Sequence, residues 1–346
     1  MPPPVSEPIE SVEQLEERLS RPTPAVLEAF RESPGDVLIL GVAGKMGPSL
    51  ARMARRAAEA AGQTRRVLGV ARFSNPDEEA RLRAHGIETW RADLLDAAAV
   101  ERLPDAPNVI FMAGMKFGST GNESATWAMN SYLPGLVARR FARSRIVAFS
   151  TGNVYGLVPV ATGGSREDDP PQPVGEYALS CLGRERVFEY FSRTHGTRVS
   201  LIRLNYACDL RYGVLVDLAL KIRRGEPVDL GMSWFNTLWQ GDANAMALAS
   251  LRHASAPPAV FNVTGPERLR VREVCERLGA RLGRAPVFTG QESSTALLSD
   301  ARRAFESLGH PTVGADQLLE WVADWVRRDQ PLLHKPTHFE SRDGRF

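Results

Sequence analysis

Apolar residues along the chain follow two rhythms. Short blocks in which almost every side chain is apolar recur at residues 36–40, 66–71, 108–112 and 145–149, with a more mixed block at 88–94. Blocks of this length, rich in Val, Ile, Leu and Phe, read as strands of a buried sheet. Between them the apolar positions take a helical spacing, at residues 48–61, 78–85, 96–102 and 124–142. This alternation predicts an α/β fold built on a parallel, doubly wound sheet. Ahead of the first block, Ser11 and Gln14 fit a capping box that opens a short amphipathic helix through Leu15 and Leu19. Thr23 and Pro24 open a second short helix through Val26, Leu27 and Phe30. These two helices stand outside the sheet pattern and are expected to pack as an arm. Further helices are expected at 214–224, 270–282, 301–308 and 316–328, where Trp321, Val322 and Trp325 suit a core face.

The first strand runs directly into Gly41-Val42-Ala43-Gly44-Lys45-Met46-Gly47, and Pro48 then starts a helix. Glycines in such a turn let the backbone reverse sharply, approach a pyrophosphate and pack the helix on the strand. The helix N-terminus adds unpaired N–H groups and a partial positive charge. Strand, glycine turn and helix together predict a dinucleotide-binding (Rossmann) domain, held through Gly41, Gly44, Lys45, Met46 and Gly47. At the end of the second strand, Ala71 and Arg72 stand where a carboxylate would otherwise bind the adenosine ribose. An arginine there pairs with a 2′-phosphate, so the choice between NAD and NADP tilts toward NADP. Asp93, followed by Leu94, ends the third block, and either an adenine contact or a cap on the next helix suits it. Ala113 and Gly114 follow the fourth strand, small enough to let a cofactor lie against the backbone.

Composition narrows the remaining choices. Basic and acidic residues number 43 and 41, a net +2 that gives no reason to expect nucleic acid or a membrane surface as partner. No apolar run approaches the roughly 20 residues that span a bilayer, and the proline-rich, acidic start lacks the basic and apolar regions of a signal peptide. Cys181, Cys208 and Cys275 are odd in number and far apart, which fits neither a disulfide framework nor a zinc site. A reducing, cytoplasmic setting is therefore expected. His334 and His338 are interrupted by Pro336, so no metal site is expected.

The ordered series of motifs resembles the extended short-chain dehydrogenase/reductase superfamily, in its NAD(P)-dependent epimerase/dehydratase branch. Gly41, Gly44 and Gly47 carry the likeness, with Asp93-Leu94, Ala113-Gly114, the segment from Ser150 through Thr151 and Val154 to Tyr155-Gly156, and Tyr177 through Ser180. Later segments continue it: the strand ending Arg203-Leu204-Asn205, Gln240-Gly241-Asp242-Ala243, Phe261 to Gly265, and Asp300 with Arg303 through Leu308-Gly309. The resemblance implies a hydroxyl, a tyrosine and a lysine four residues after the tyrosine. Thr151 and Tyr177 match the first two, but Cys181 occupies the lysine position. That lysine's charge would lower a tyrosine pKa that otherwise lies near 10, and a neutral thiol cannot do this. Residues 113–116 look like the A-G-x-K stretch of UDP-galactose 4-epimerases, so Lys116 is the candidate substitute cation. Arg184, two helical turns from Tyr177, is too far along the axis to be its direct neighbour. Tyr155 is a secondary acid–base candidate.

Four segments are expected: an arm at 1–35 and a tail at 331–346 outside the resemblance, and within it an NAD(P)-binding Rossmann domain at 36–204 and a smaller C-terminal substrate lobe at 205–330 with elements returning to the first sheet. Asn205, Arg211, Tyr212 and Asn236 are the candidate substrate contacts in the lobe, although Arg211 suits an ion pair equally. Trp234, Phe235 and Trp239 are expected to pack the lobe. The expected function is an oxidoreductase acting on a sugar or sugar nucleotide through a transient keto intermediate, with epimerisation, dehydration and dehydrogenation all open. The alternative, motivated by Cys181, is a non-catalytic or redox-sensing dinucleotide-binding protein. Whether the chain forms a homodimer stays open.

Overall fold

Seven strands form one parallel sheet. The computed structural model describes residues 8–116 and 118–345; residues 1–7 of the expected arm, Phe117 and Phe346 at the end of the tail lie outside the described residues. The sheet strands are β1 (Val37–Leu40), β2 (Val67–Ala71), β3 (Glu88–Arg91), β4 (Asn108–Phe111), β5 (Arg145–Thr151), β6 (Arg198–Leu204) and β7 (Ala259–Val263). Their spatial order is β7-β6-β5-β4-β1-β2-β3. All neighbours pair in parallel, with Leu40 of β1 in register with Val70 on one side and Phe111 on the other. The chain reverses its direction of travel between β1 and β4. That switch point leaves a crevice at the carboxyl ends of these strands, where ligands bind in doubly wound sheets.

Strand periodicity sorts the core. Val37 and Ile39 of β1 enter one buried cluster, while Leu38 and Leu40 enter the other, on the opposite face. Helix α2 (Pro24–Glu32), α3 (Gly47–Ala60), α10 (Gln240–Ala249) and α12 (Arg302–Leu308) supply the first face through residues such as Phe30, Leu50, Met246 and Phe305. Helix α7 (Leu133–Arg140) and the long α8 (Gly175–His195) supply the second through Val137 and Phe188. A separate core builds the lobe from α9 (Val214–Arg224), α11 (Val271–Leu282) and α13 (Ala315–Arg327), with Phe235, Trp239, Trp321, Val322 and Trp325 inside it as packing residues.

Both chain ends join these cores. Ser11 caps α1 (Val12–Leu19), and Leu15 and Leu19 sink into the lobe core while Val26 and Phe30 of α2 join the sheet. From the other end, Phe339 is 1% exposed within the lobe. No helix among the described residues is long and apolar enough to cross a membrane.

Two elements depart from the pattern read in the sequence. The third strand stops at Arg91, because Asp93 turns back and accepts the N–H of Leu95 at 3.0 Å. The helix expected over 124–142 is broken into three: Glu123–Trp127, a π-helical stretch Ala128–Tyr132 and Leu133–Arg140. The wider turn holds Asn130, whose Oδ1 accepts the Met115 N–H at 2.9 Å and whose Nδ2 donates to the Met115 carbonyl at 2.8 Å. This fastens the loop after β4 to the helix layer.

Candidate active site

The glycine turn is shaped by close backbone approach. Gly41 has φ of +89°, and a Cβ there would lie 2.8 Å from the Ala113 nitrogen; one at Gly47 would run into the Val42 carbonyl. Gly44 meets only the Gly41 carbonyl, at an ordinary 3.4 Å, so its outer side is open. Gly44 and Gly47 bond inside the turn, and among the described residues the N–H groups of Ala43 and Met46 meet no acceptor. Beside this turn lies a cavity of about 310 Å³ lined by Gly41, Gly44, Arg72, Asp93, Leu94, Ala113 and Gly114. Most of the residues singled out for the cofactor thus meet in one place. Lys45 and Met46 face a second cavity, and Gly47 serves the turn's packing. Arg72 is exposed and forms no ion pair among the described residues. The open turn, the free N–H groups and the α3 N-terminus fit a dinucleotide.

The second cavity, about 180 Å³, joins the sheet to the lobe. Lys45, Met46, Lys116, Ser150, Thr151 and Tyr177 line one wall; Asn205, Tyr206, Tyr212, Gln240 and Thr337 line the other. Thr151 ends β5 and Tyr177 stands in the first turn of α8, and both side chains line this cavity. Cys181, one turn further along α8, is fully buried against Val154, Tyr155 and Tyr177. Burial raises the Cys181 pKa, and burial together with the neighbouring thiol raises that of Tyr177 well above its usual value. Thr151 and Arg184 pull the Tyr177 pKa the other way.

Lys116 reaches this tyrosine from the loop after β4. Its Nζ lies 5.7 Å from the centre of the Tyr177 ring, and desolvation pushes its pKa down to about 8. Arg184 is committed elsewhere: it donates to the Phe149 carbonyl at 2.5 Å and to Asn130 Oδ1 at 2.7 Å. It acts on Tyr177 through its field. Tyr155 sits in a structural network, donating to Asn262 Oδ1 at 2.8 Å and accepting from Arg203 at 2.5 Å. Burial pushes its pKa up to about 12.

In the lobe, Asn205 Nδ2 donates to Asn236 Oδ1 at 2.8 Å, and Arg211 pairs with Asp209 at 2.8 Å and Glu16 at 3.0 Å. The arm residue Glu16 therefore holds the arginine singled out as a substrate contact. Tyr212 carries the Lys45 ammonium 3.3 Å above its ring centre. Desolvation, with Lys116 and Lys335 as like charges, pushes the Lys45 pKa down to about 7. Lys45 lines the second cavity over Tyr212, a role the glycine motif alone did not suggest. Gln240, Tyr206 and Thr337 were also missed. The four lysines of an otherwise arginine-rich chain were the available signal, since three of them meet here.

The profile of the NAD dependent epimerase/dehydratase family matches residues 37–264. The chain belongs to this family. Its members are NAD-dependent enzymes, and the matched span runs from β1 through β7. Among solved structures, MoeE5 in complex with UDP-glucose and NAD is 22% identical, covering 85% of this chain and 99% of that one, with a TM-score of 0.66. UDP-glucose 4-epimerase of Thermotoga maritima with UDP-glucose is 18% identical over 85% of this chain and 99% of that one, at 0.68. DesIV, a dTDP-glucose 4,6-dehydratase from Streptomyces venezuelae with NAD and TYD bound, is 21% identical over 85% and 97%, at 0.71. These likenesses concern the fold. No curated protein matches the sequence.

Proposed function

We propose that the chain is an NAD(P)-dependent oxidoreductase of the epimerase/dehydratase type that acts on a sugar nucleotide through a transient keto intermediate. The observation that carries this reading is the meeting of Thr151, Tyr177 and Lys116 in a cavity next to the glycine turn. The turn shaped by Gly41 and Gly47 would hold the dinucleotide's phosphates at Gly44, Lys45 and Met46, with Arg72, Asp93, Leu94, Ala113 and Gly114 around its adenosine half. The bound nicotinamide supplies the hydride acceptor and donor. Arg72, exposed beside the ribose position, supports NADP, whereas the solved structures named above that carry a cofactor hold NAD. The three cysteines, all buried free thiols, suit a reducing cytoplasm.

Within this reading Tyr177 Oη takes the proton of the substrate hydroxyl and returns it to the keto oxygen, while Thr151 Oγ1 orients that oxygen. Burial alone opposes phenolate. Lys116 therefore does from the β4 loop what a lysine at position 181 would do from the helix, placing a positive charge beside the phenol. Asn205 and Tyr212 line the wall that would meet the sugar. Tyr177→Phe tests the mechanism on a panel of UDP- and dTDP-hexoses: turnover is expected to fall by about 10²–10⁴, and a variant as active as wild type contradicts it. NADPH bound by wild type without turnover on the whole panel would favour the non-catalytic reading motivated by Cys181.

A further inference from the structure

The C-terminal segment is tied down along its length. Leu333 N–H donates to the Arg211 carbonyl at 3.1 Å, and Thr337 donates twice to Asp217 Oδ2, at 2.8 Å from its N–H and 2.6 Å from its hydroxyl. Phe339 is buried in the lobe, Lys221 pairs with Glu340 at 2.5 Å, and Arg342 donates to Gly231 and Thr295 carbonyls at 2.9 and 3.0 Å. Gly344 then packs against Val174 and Gly175, at the start of the helix that carries Tyr177. The segment thus crosses from the glycine turn to the base of α8, beyond the residues matched by the family profile.

On this path three of its residues line cavities beside the glycine turn, Leu333 among them. Thr337 lines the cavity of Tyr177 and Thr151. Lys335 lines an adjoining cavity of about 170 Å³ with Gly44, Lys45, Ser49, Arg52 and Arg81. Glu16 and Glu78 are its acids, and Glu16 is taken up by Arg211. Arg52, Arg81 and Lys335 form no ion pair among the described residues, in a chain whose other arginines are mostly paired. Like charges gathered around a desolvated turn oppose one another, and Lys45 feels both Lys116 and Lys335. Such a cavity, opening on backbone N–H groups, suits a ligand group with several negative oxygens.

We propose that residues 333–345 form a strap that completes the ligand site, with Lys335 binding the diphosphate of a nucleotide at the glycine turn. The inference rests on the reading of that turn as a dinucleotide site. A diphosphate occurs both in a dinucleotide cofactor and in a sugar nucleotide, and the experiment separates the two.

Calorimetric titration of the full chain with ADP-ribose, UDP and adenosine, on wild type, Lys335→Gln and Lys335→Glu, provides the test. Lys335 is exposed, and unchanged melting temperatures would show that both variants fold. Lys335→Gln is expected to weaken a diphosphate ligand about tenfold and Lys335→Glu further, with adenosine unaffected. Weakening of ADP-ribose assigns the cofactor's diphosphate to Lys335, and weakening of UDP assigns the substrate's. Wild-type affinity for both ligands in both variants, with ADP-ribose still bound, overturns the strap. Wild type binding ADP-ribose no better than adenosine overturns the dinucleotide reading and the strap with it.

Discussion

Cys181 and Lys116 divide between them what one lysine would do. The thiol fills a packed helix face against Tyr177, while the charge arrives from a loop 61 positions away from the phenol in sequence, 177 minus 116. The account therefore expects Cys181→Ser to keep turnover within a few-fold of wild type, since a hydroxyl of nearly the same size fills the same packed position and no thiol chemistry is used. Loss of turnover in that variant, measured on the preferred sugar nucleotide, would favour a redox or nucleophilic role. Lys116 should set a pH limit. With a pKa of about 8, it is charged below that value and neutral above it. The phenolate is favoured only while the charge is present, so kcat/KM should fall as pH rises through about 8. Lys116→Arg, which stays charged, should move this fall to higher pH, and Lys116→Ala should lower the rate and abolish it. A profile unchanged in Lys116→Ala contradicts the role. The sequence pointed to Lys116 through the A-G-x-K stretch; it could not reveal Lys45 over Tyr212, because that contact joins residues 167 apart (212 minus 45) across two lobes.

Helix α8 is fixed by polar contacts as much as by its apolar face. Glu185 pairs with Arg203 at 2.8 Å and accepts the Ser150 hydroxyl at 2.5 Å, all three buried, and Arg203 in turn holds Tyr155. A buried pair adds little net stability compared with apolar residues, yet removing one partner strands a charge. Glu185→Leu is therefore expected to cost about 3–5 kcal/mol in denaturant unfolding; a cost below about 1 kcal/mol, the range of exposed pairs, would contradict the burial argument. Strands and most helices were legible because apolar period and glycine punctuation agree along residues 36–151. The π-helical turn was not, since its cause is Asn130 engaging both the N–H and carbonyl of Met115, a contact that no local pattern encodes. Asp93 was ambiguous in the sequence. Here it holds the Leu95 N–H and lines the cavity beside the glycine turn, while Asp96 caps the next helix by accepting the Ala98 N–H at 2.9 Å, so the capping reading of Asp93 fails.

At the scale of the molecule, the two chain ends do more than trail from a core. Arg328 donates to the Ile9 carbonyl at 2.6 Å, Glu16 neutralises Arg211 at the rim of the glycine-turn cavity, and Lys335 and Thr337 enter the two cavities joined at Lys45. The parallel sheet and its crevice followed from alternating elements, and the glycine turn placed the ligand. The convergence of arm, lobe and tail on that turn depends on contacts between residues hundreds of positions apart, which single-sequence patterning does not carry. The central claim is that this assembled site performs hydride chemistry at a carbon whose hydroxyl proton passes through Tyr177. It is tested most directly by following reduced-nicotinamide absorbance after mixing the protein, NAD or NADP, and a panel of UDP- and dTDP-hexoses. Wild type should convert at least one sugar nucleotide, with reduced nicotinamide seen either transiently during turnover or as a product, and Tyr177→Phe should show neither. Binding of the dinucleotide with no product formed from any sugar nucleotide and no reduced nicotinamide would contradict the account.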